Sequence, residues 1–214
     1  MKSKIALISF VLVCTGLIAS EPTEKSVSPE DALKKLNEGN SRFASSKMSA
    51  AKPTAERRAA TAQTQHPFAA ILGCADSRTA PEIIFDQNIG DLFVVRTAGN
   101  LVDDYALGSI EYAVEHLGSR LIVVLGHERC GAVKAALESS TALGHVNALV
   151  RDIQPAVQAA KSNPGDALAN AIHENAVEVA DKIRKNAQLG ELASQVKVVS
   201  AYYSLDTGKV EWDK

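Results

Sequence analysis

Two short segments carry residues whose types and spacing could do chemistry. CADSR contains Cys74, Asp76 and Arg78, and HERCG contains His127 and Cys130. Thiolate sulfur and imidazole nitrogen are ligands that zinc favours in tetrahedral geometry, and a catalytic zinc site keeps one position open for water or substrate. Cys74, His127 and Cys130 together would fill the other three. Asp76 and Arg78 follow closely on Cys74, and such a carboxylate–guanidinium pair can orient whatever enters the open position. Blander readings stand beside this one: a lone cysteine is commonly inert core, and two cysteines in an oxidising compartment suit one structural disulfide.

The elements around these segments decide whether they can meet. FAAILG leads into CADSR and RLIVVLG leads into HERCG, while DLFVVRTAG and VKVVSAYYS are two more runs of the same kind. All four are continuously apolar and rich in β-branched residues, which predicts buried strands. Helical patterns separate them: DYALGSIEYAVEHLG, CGAVKAALESS and a long stretch over about 166–188. The alternation predicts an α/β fold with a mainly parallel central sheet flanked by helices. Sites in such sheets form at the carboxyl ends of strands, where strand order reverses, so the two segments can converge. Cys130 also opens a predicted helix, whose amides and dipole favour a thiolate.

Toward the amino end, Ser28 and Pro29 give a helix-start signal. PEDALKKLNEGNSRF then sets Leu33, Leu36 and Phe43 on a common side, and a polar, alanine-rich helix is expected over 54–63. Residues 21–65 therefore read as an N-terminal helical arm against the main domain or a partner subunit, and residues 66–214 as the zinc-binding α/β catalytic domain. Asp206, Thr207 and Gly208 predict a turn returning KVEW as a C-terminal edge strand. That DTG is a single copy, so a hairpin explains it better than aspartic-protease chemistry.

The chain has 214 residues, 46% hydrophobic and 22% charged, with a formal charge of −2. This suits one compact domain and offers no field for nucleic acid or an anionic membrane. Residues 1–20 differ: Lys2 and Lys4 precede an apolar run from Ile5 to Ala19, the layout of a secretory signal peptide. Spanning a bilayer takes about 20 apolar residues, and this run is shorter and interrupted by Thr15 and Gly16. Lipidation at Cys14 is disfavoured by Val13, where a small residue is expected. Cleavage near Ala19 or Ser20 would remove two lysines from a net charge of −2, leaving −4, and would deliver a periplasmic or secreted product with no membrane attachment.

CADSR paired with HERCGA resembles the β-class carbonic anhydrases. GNSRF, QHPF, PEIIFDQ, DLFVVRTAGN and GSIEYAVEHLG extend the likeness over most of residues 29–205. Ala75, Thr79 and RTAGN depart from the family's commoner residues, and none of these is a presumed ligand. The resemblance implies reversible hydration of carbon dioxide to bicarbonate and a proton by zinc-bound hydroxide, with one Zn2+ per subunit. It assigns Cys74, His127 and Cys130 as ligands, Asp76 and Arg78 as the catalytic pair, and Gln65, Phe93 and Tyr112 to the substrate cleft. Part of that cleft would come from a partner in a homodimer or larger homo-oligomer. Ile71 stands where regulated members carry tryptophan, which favours the form in which Asp76 stays off the metal.

Two thiolates neutralise the ion's double charge, so activity is expected to rise toward alkaline pH. His66 beside Gln65 reads as a surface imidazole rather than a proton carrier. His116, His145 and His173 are expected on solvent-facing helix surfaces, and Glu128 as an exposed loop charge. The rival readings are a carbonyl sulfide or carbon disulfide hydrolase on the same scaffold and a non-catalytic zinc or disulfide-stapled binding module. The second leaves the Asp76–Arg78 pair without a purpose.

Overall fold

A computed structural model describes residues 26–49, 53–186 and 194–213; the expected signal peptide lies outside them. Five strands form one sheet: β1 (Ala69–Cys74), β2 (Leu92–Thr97), β3 (Leu121–His127), β4 (Lys197–Tyr203) and β5 (Val210–Trp212). Their order is β2-β1-β3-β4-β5. The first four are parallel and β5 runs antiparallel against β4, as the edge-strand expectation required. The chain lays β2 on one side of β1, then returns to place β3 on the other. The reversal of order therefore falls at β1 and β3, the strands that deliver CADSR and HERCG.

Alternation along the pleat divides the core between two faces. Ala70, Leu72, Ile122 and Val124 point to one side and pack with α4 (Asp104–Glu115), α5 (Gly131–Glu138), α6 (Val146–Ala160) and α7 (Ala167–Arg184). Ala69, Ile71, Leu121 and Val123 point to the other, where α1 (Pro29–Ala44) and the short α3 (Pro81–Ile84) cover them through Ala32, Leu36 and Ile84. Full burial of such aliphatic side chains contributes about 1.5–3 kcal/mol each, which is why these runs are continuous rather than alternating.

The helix-start signal at Ser28 is realised: its side chain accepts from the Asp31 amide, with Pro29 in the first turn. Gly39 lets α1 approach closely, since a Cβ there would stand 1.7 Å from the Phe85 carbonyl oxygen. Helix α2 (Ala55–Thr61) buries no residue; Arg57 ties it to the Ile89 carbonyl and the Asp91 carboxylate. Helix α6 was not anticipated, because Pro155 lies inside it and proline normally breaks an interior helix. Burial of Val150, Ile153, Ala156, Val157 and Ala160 offsets that penalty. No described helix is long and apolar enough to cross a membrane.

Candidate metal centre

Cys74 ends β1, His127 ends β3, and Cys130 is the N-cap of α5. All three side chains are buried, and their ligand atoms lie within 4.8 Å of one another. Bonds of about 2.0–2.3 Å to one zinc-sized ion span nearly that separation. No other cluster of this kind occurs among the described residues. Both cysteines are free, so the disulfide reading does not describe this arrangement.

The imidazole is set up to ligate. His127 Nδ1 lies 2.9 Å from the Glu128 carbonyl oxygen, and a carbonyl only accepts, so Nδ1 carries the proton and Nε2 keeps its lone pair. Nε2 is buried with no hydrogen-bond partner among the described residues. An orphaned buried acceptor between two sulfurs is costly unless a cation takes it up. The sulfurs lead to the same requirement. A hydrogen bond from Cys130 draws the Cys74 thiol well below its ordinary range; burial opposes this, while the Gly99 and Asp76 amides assist. Cys130 is pushed upward by the shared proton, by burial and by the adjacent negative charge, against the amides of Val133 and Ala132. One proton is thus kept between two sulfurs, and a divalent cation would let both ionise.

Asp76 stands at the edge of this cluster, with Oδ2 3.9 Å from His127 Nε2. Arg78 grips it three ways: the backbone N–H and Nε donate to Oδ1, each at 2.9 Å, and Nη2 donates to Oδ2 at 2.7 Å. The Arg78 side chain is the main reason the Asp76 carboxyl is held far below the usual carboxylate range, against partial burial. Thr79 Oγ1 donates to the Asp76 and Cys74 carbonyls, closing the CADSR turn. In this arrangement Asp76 is engaged with Arg78 and is not one of the clustered ligands.

Three further residues that the sequence does not single out hold the site together. Arg96 on β2 donates to the Cys74 and Asp76 carbonyl oxygens and so clamps the loop between them. The Gly99 N–H donates to Cys74 Sγ at 3.3 Å, and buried Asn175 on α7 holds the Gly99 carbonyl at 2.8 Å. An arginine closing an apolar run was the available signal for Arg96; nothing in the local pattern marks Asn175. Two expectations of solvent exposure are corrected. Glu128 accepts from Ser204 Oγ and the Asp206 amide, and His173 pairs with Asp213 while its ring stacks on Tyr202.

The proposed cleft residues stand apart from the ligands within one chain. Gln65 is exposed on the loop before β1, a full strand ahead of Cys74. Phe93 and Tyr112 are brought together, ring centroids 6.4 Å apart, but Phe93 pairs with Ala70 near the start of β2, four residues before the level of Cys74. Tyr112 remains 48% exposed. His66 is exposed, and His116 packs on Tyr112 at 5.0 Å.

Comparison with known proteins agrees with the geometry. The family described as Carbonic anhydrase matches residues 69–210. The carbonic anhydrase of Mycolicibacterium smegmatis is 41% identical over 191 residues, covering 86% of this chain and 92% of that one. Carbonic anhydrase 2 of Mycobacterium tuberculosis is also 41% identical, over 85% of this chain and 91% of its own. Among solved structures, the Coccomyxa β-carbonic anhydrase in complex with acetazolamide superposes with a TM-score of 0.66 at 30% identity, over 72% of this chain and 75% of that one. Likeness on this scale, with a metal-capable trio where the strand order reverses, shows that the chain belongs to the β-class carbonic anhydrases, enzymes that hydrate carbon dioxide reversibly.

Proposed function

We propose that this carbonic anhydrase works with one zinc ion per subunit held by Cys74, His127 and Cys130. The buried, partnerless Nε2 of His127 between two free cysteines carries this reading. Zinc, when bound, acidifies water so that a nucleophile exists near neutral pH. Asp76 accepts a hydrogen bond from the attacking oxygen and turns a lone pair toward carbon dioxide, while Arg78 keeps that carboxylate ionised and oriented. Arg96 holds the backbone beneath both. Asp76 stays paired with Arg78 during turnover rather than closing on the ion.

Gln65, Phe93 and Tyr112 complete the substrate cleft from a partner chain in a homodimer or larger homo-oligomer. Their distance from the ligands within one chain supports that reading, and tetrameric β-carbonic anhydrases of Sordaria macrospora share the fold at 22% identity. The leader at residues 1–20 exports the enzyme, which acts in the periplasm or outside the cell. The names of the matched relatives favour carbon dioxide over carbonyl sulfide or carbon disulfide.

Stopped-flow hydration assays on the mature protein, with metal analysis of the same sample, test this. About one zinc per chain and a rate rising from about pH 6 to 9 are expected, because ionised sulfurs neutralise the ion and acidify water less than neutral ligands would. Zinc-loaded protein without activity would favour the binding-module reading, and a rate falling over that range would contradict the donor-set argument.

A further inference from the structure

We propose that Arg129 and Asp206 are positioning residues for the metal ligands, the C-terminal hairpin turn clamping the loop between His127 and Cys130; this rests on the zinc reading above. Only Glu128 and Arg129 separate the imidazole from the second sulfur. Arg129 adopts φ +54°, a left-handed conformation that side-chain-bearing residues disfavour and glycine takes freely. The strain of an arginine at such a position is offset by the contacts its side chain makes.

That side chain joins the ligand loop to the turn. Arg129 Nη1 and Nη2 donate to Asp206 Oδ2 and Oδ1 at 2.9 and 2.6 Å, and Nη1 also donates to Glu128 Oε1 at 2.6 Å. Glu128 Oε2 accepts from Ser204 Oγ at 3.0 Å and from the Asp206 amide at 3.1 Å. The Glu128 amide donates to the Tyr203 carbonyl at 2.8 Å, while its own carbonyl fixes His127 Nδ1. Both spacer residues are therefore fastened to residues 203–206. The turn is anchored in its own right: Asn40 on α1 donates to the Gly208 carbonyl at 2.8 Å and accepts from the Val210 amide at 2.9 Å.

An isolated exposed ion pair contributes little. This one is bidentate, shared by two carboxylates and connected to the backbone that orients a ligand, the kind of outer partner whose loss typically weakens metal binding by about 10- to 100-fold. The work of the clamp is to hold imidazole and thiolate at fixed separation, and its loss should show in the metal rather than in the fold.

The test compares Asp206→Asn and Arg129→Gly with the parent enzyme. Asp206 is 65% exposed, so its variant should fold, and glycine at 129 relieves the backbone while removing the clamp. Zinc release to an excess of a chromogenic chelator should accelerate roughly tenfold in both, with little further change in the double variant. The visible bands of the cobalt-substituted forms should shift. Arg151→Ala, which removes an exposed pair with Asp152 on α6, should leave both readings unchanged. Parent-like release and cobalt spectra in both variants, with unchanged circular dichroism, would overturn the proposal. A parent enzyme that takes up no zinc would sink the zinc reading instead. In that case the rate at which a disulfide reagent modifies Cys130 decides: faster in both variants supports the clamp, and equal rates overturn it.

Discussion

Replacing Gly99 by alanine should destabilise the enzyme and loosen its hold on metal together. Gly99 has φ +72°, and an added Cβ would meet Ile153 Cδ1 at 3.0 Å and Ala132 Cβ at 3.3 Å. The left-handed backbone costs a residue with a Cβ about 1–2 kcal/mol, and crowding a packed interior costs about 1–3 kcal/mol. The two together give roughly 2–5 kcal/mol, a large share of the 5–15 or so that holds a typical domain together. Any backbone shift that relieves the clash moves the N–H away from Cys74 Sγ and the carbonyl away from Asn175. Urea unfolding of metal-free protein reads the first effect, and zinc release to a chelator reads the second. Gly108→Ala is the counterpart: nothing lies within 4 Å of its added Cβ, and it sits inside α4. A gain of about 0.5–1 kcal/mol is expected there. A Gly99→Ala variant within about 0.5 kcal/mol of the parent, the range of a featureless surface change, would refute the reasoning.

Asp76→Asn should retain zinc but lose at least about tenfold in hydration rate, because the amide offers its oxygen without the charge that Arg78 grips; full activity would remove Asp76 from the mechanism. Arg96→Ala strips the donors from the Cys74 and Asp76 carbonyls and should speed zinc release roughly tenfold, an unchanged rate showing that the loop holds itself. The hydrogen bond that His173 Nδ1 donates to Asp213 raises the His173 pKa, against partial burial. A raised value means that the protonated pair stabilises the fold fully below about pH 6.5, and that this contribution fades as pH rises through the higher folded value. Asp213→Asn should therefore cost up to about 1 kcal/mol near pH 6 and little near pH 9 by urea unfolding. An equal cost at both would assign the loss to packing.

The parallel sheet was legible because FAAILG and RLIVVLG are buried on both faces, which forces continuous apolar runs, and because glycine or a polar residue closes each. The ligand trio was legible for a related reason: strands β1 and β3 end in the residues that do chemistry, and topology alone makes those ends neighbours. Helix α6 was not, since Pro155 obscured a pattern that tertiary burial of Ile153 and Val157 sustains. Glu128 and His173 look like surface charges in one dimension, and their partners Ser204, Asp206 and Asp213 lie at least 40 residues away. Asn175 acts on a backbone carbonyl, which leaves no mark in a side-chain pattern, and Arg96 shows only as an arginine closing an apolar run. Gln65, Phe93 and Tyr112 stand apart from Cys74 and Cys130 in the fold of one chain, and spacing through less distinctive sequence gave no sign of that.

X-ray absorption at the zinc edge of the purified enzyme addresses the ligand set directly. Two sulfur neighbours at about 2.3 Å, with the remaining neighbours nitrogen or oxygen at about 2.0–2.2 Å, are expected, one of them exchangeable for an added anion. A shell with no sulfur, or one closed by four protein ligands that no anion displaces, would contradict a catalytic ion held by Cys74, His127 and Cys130.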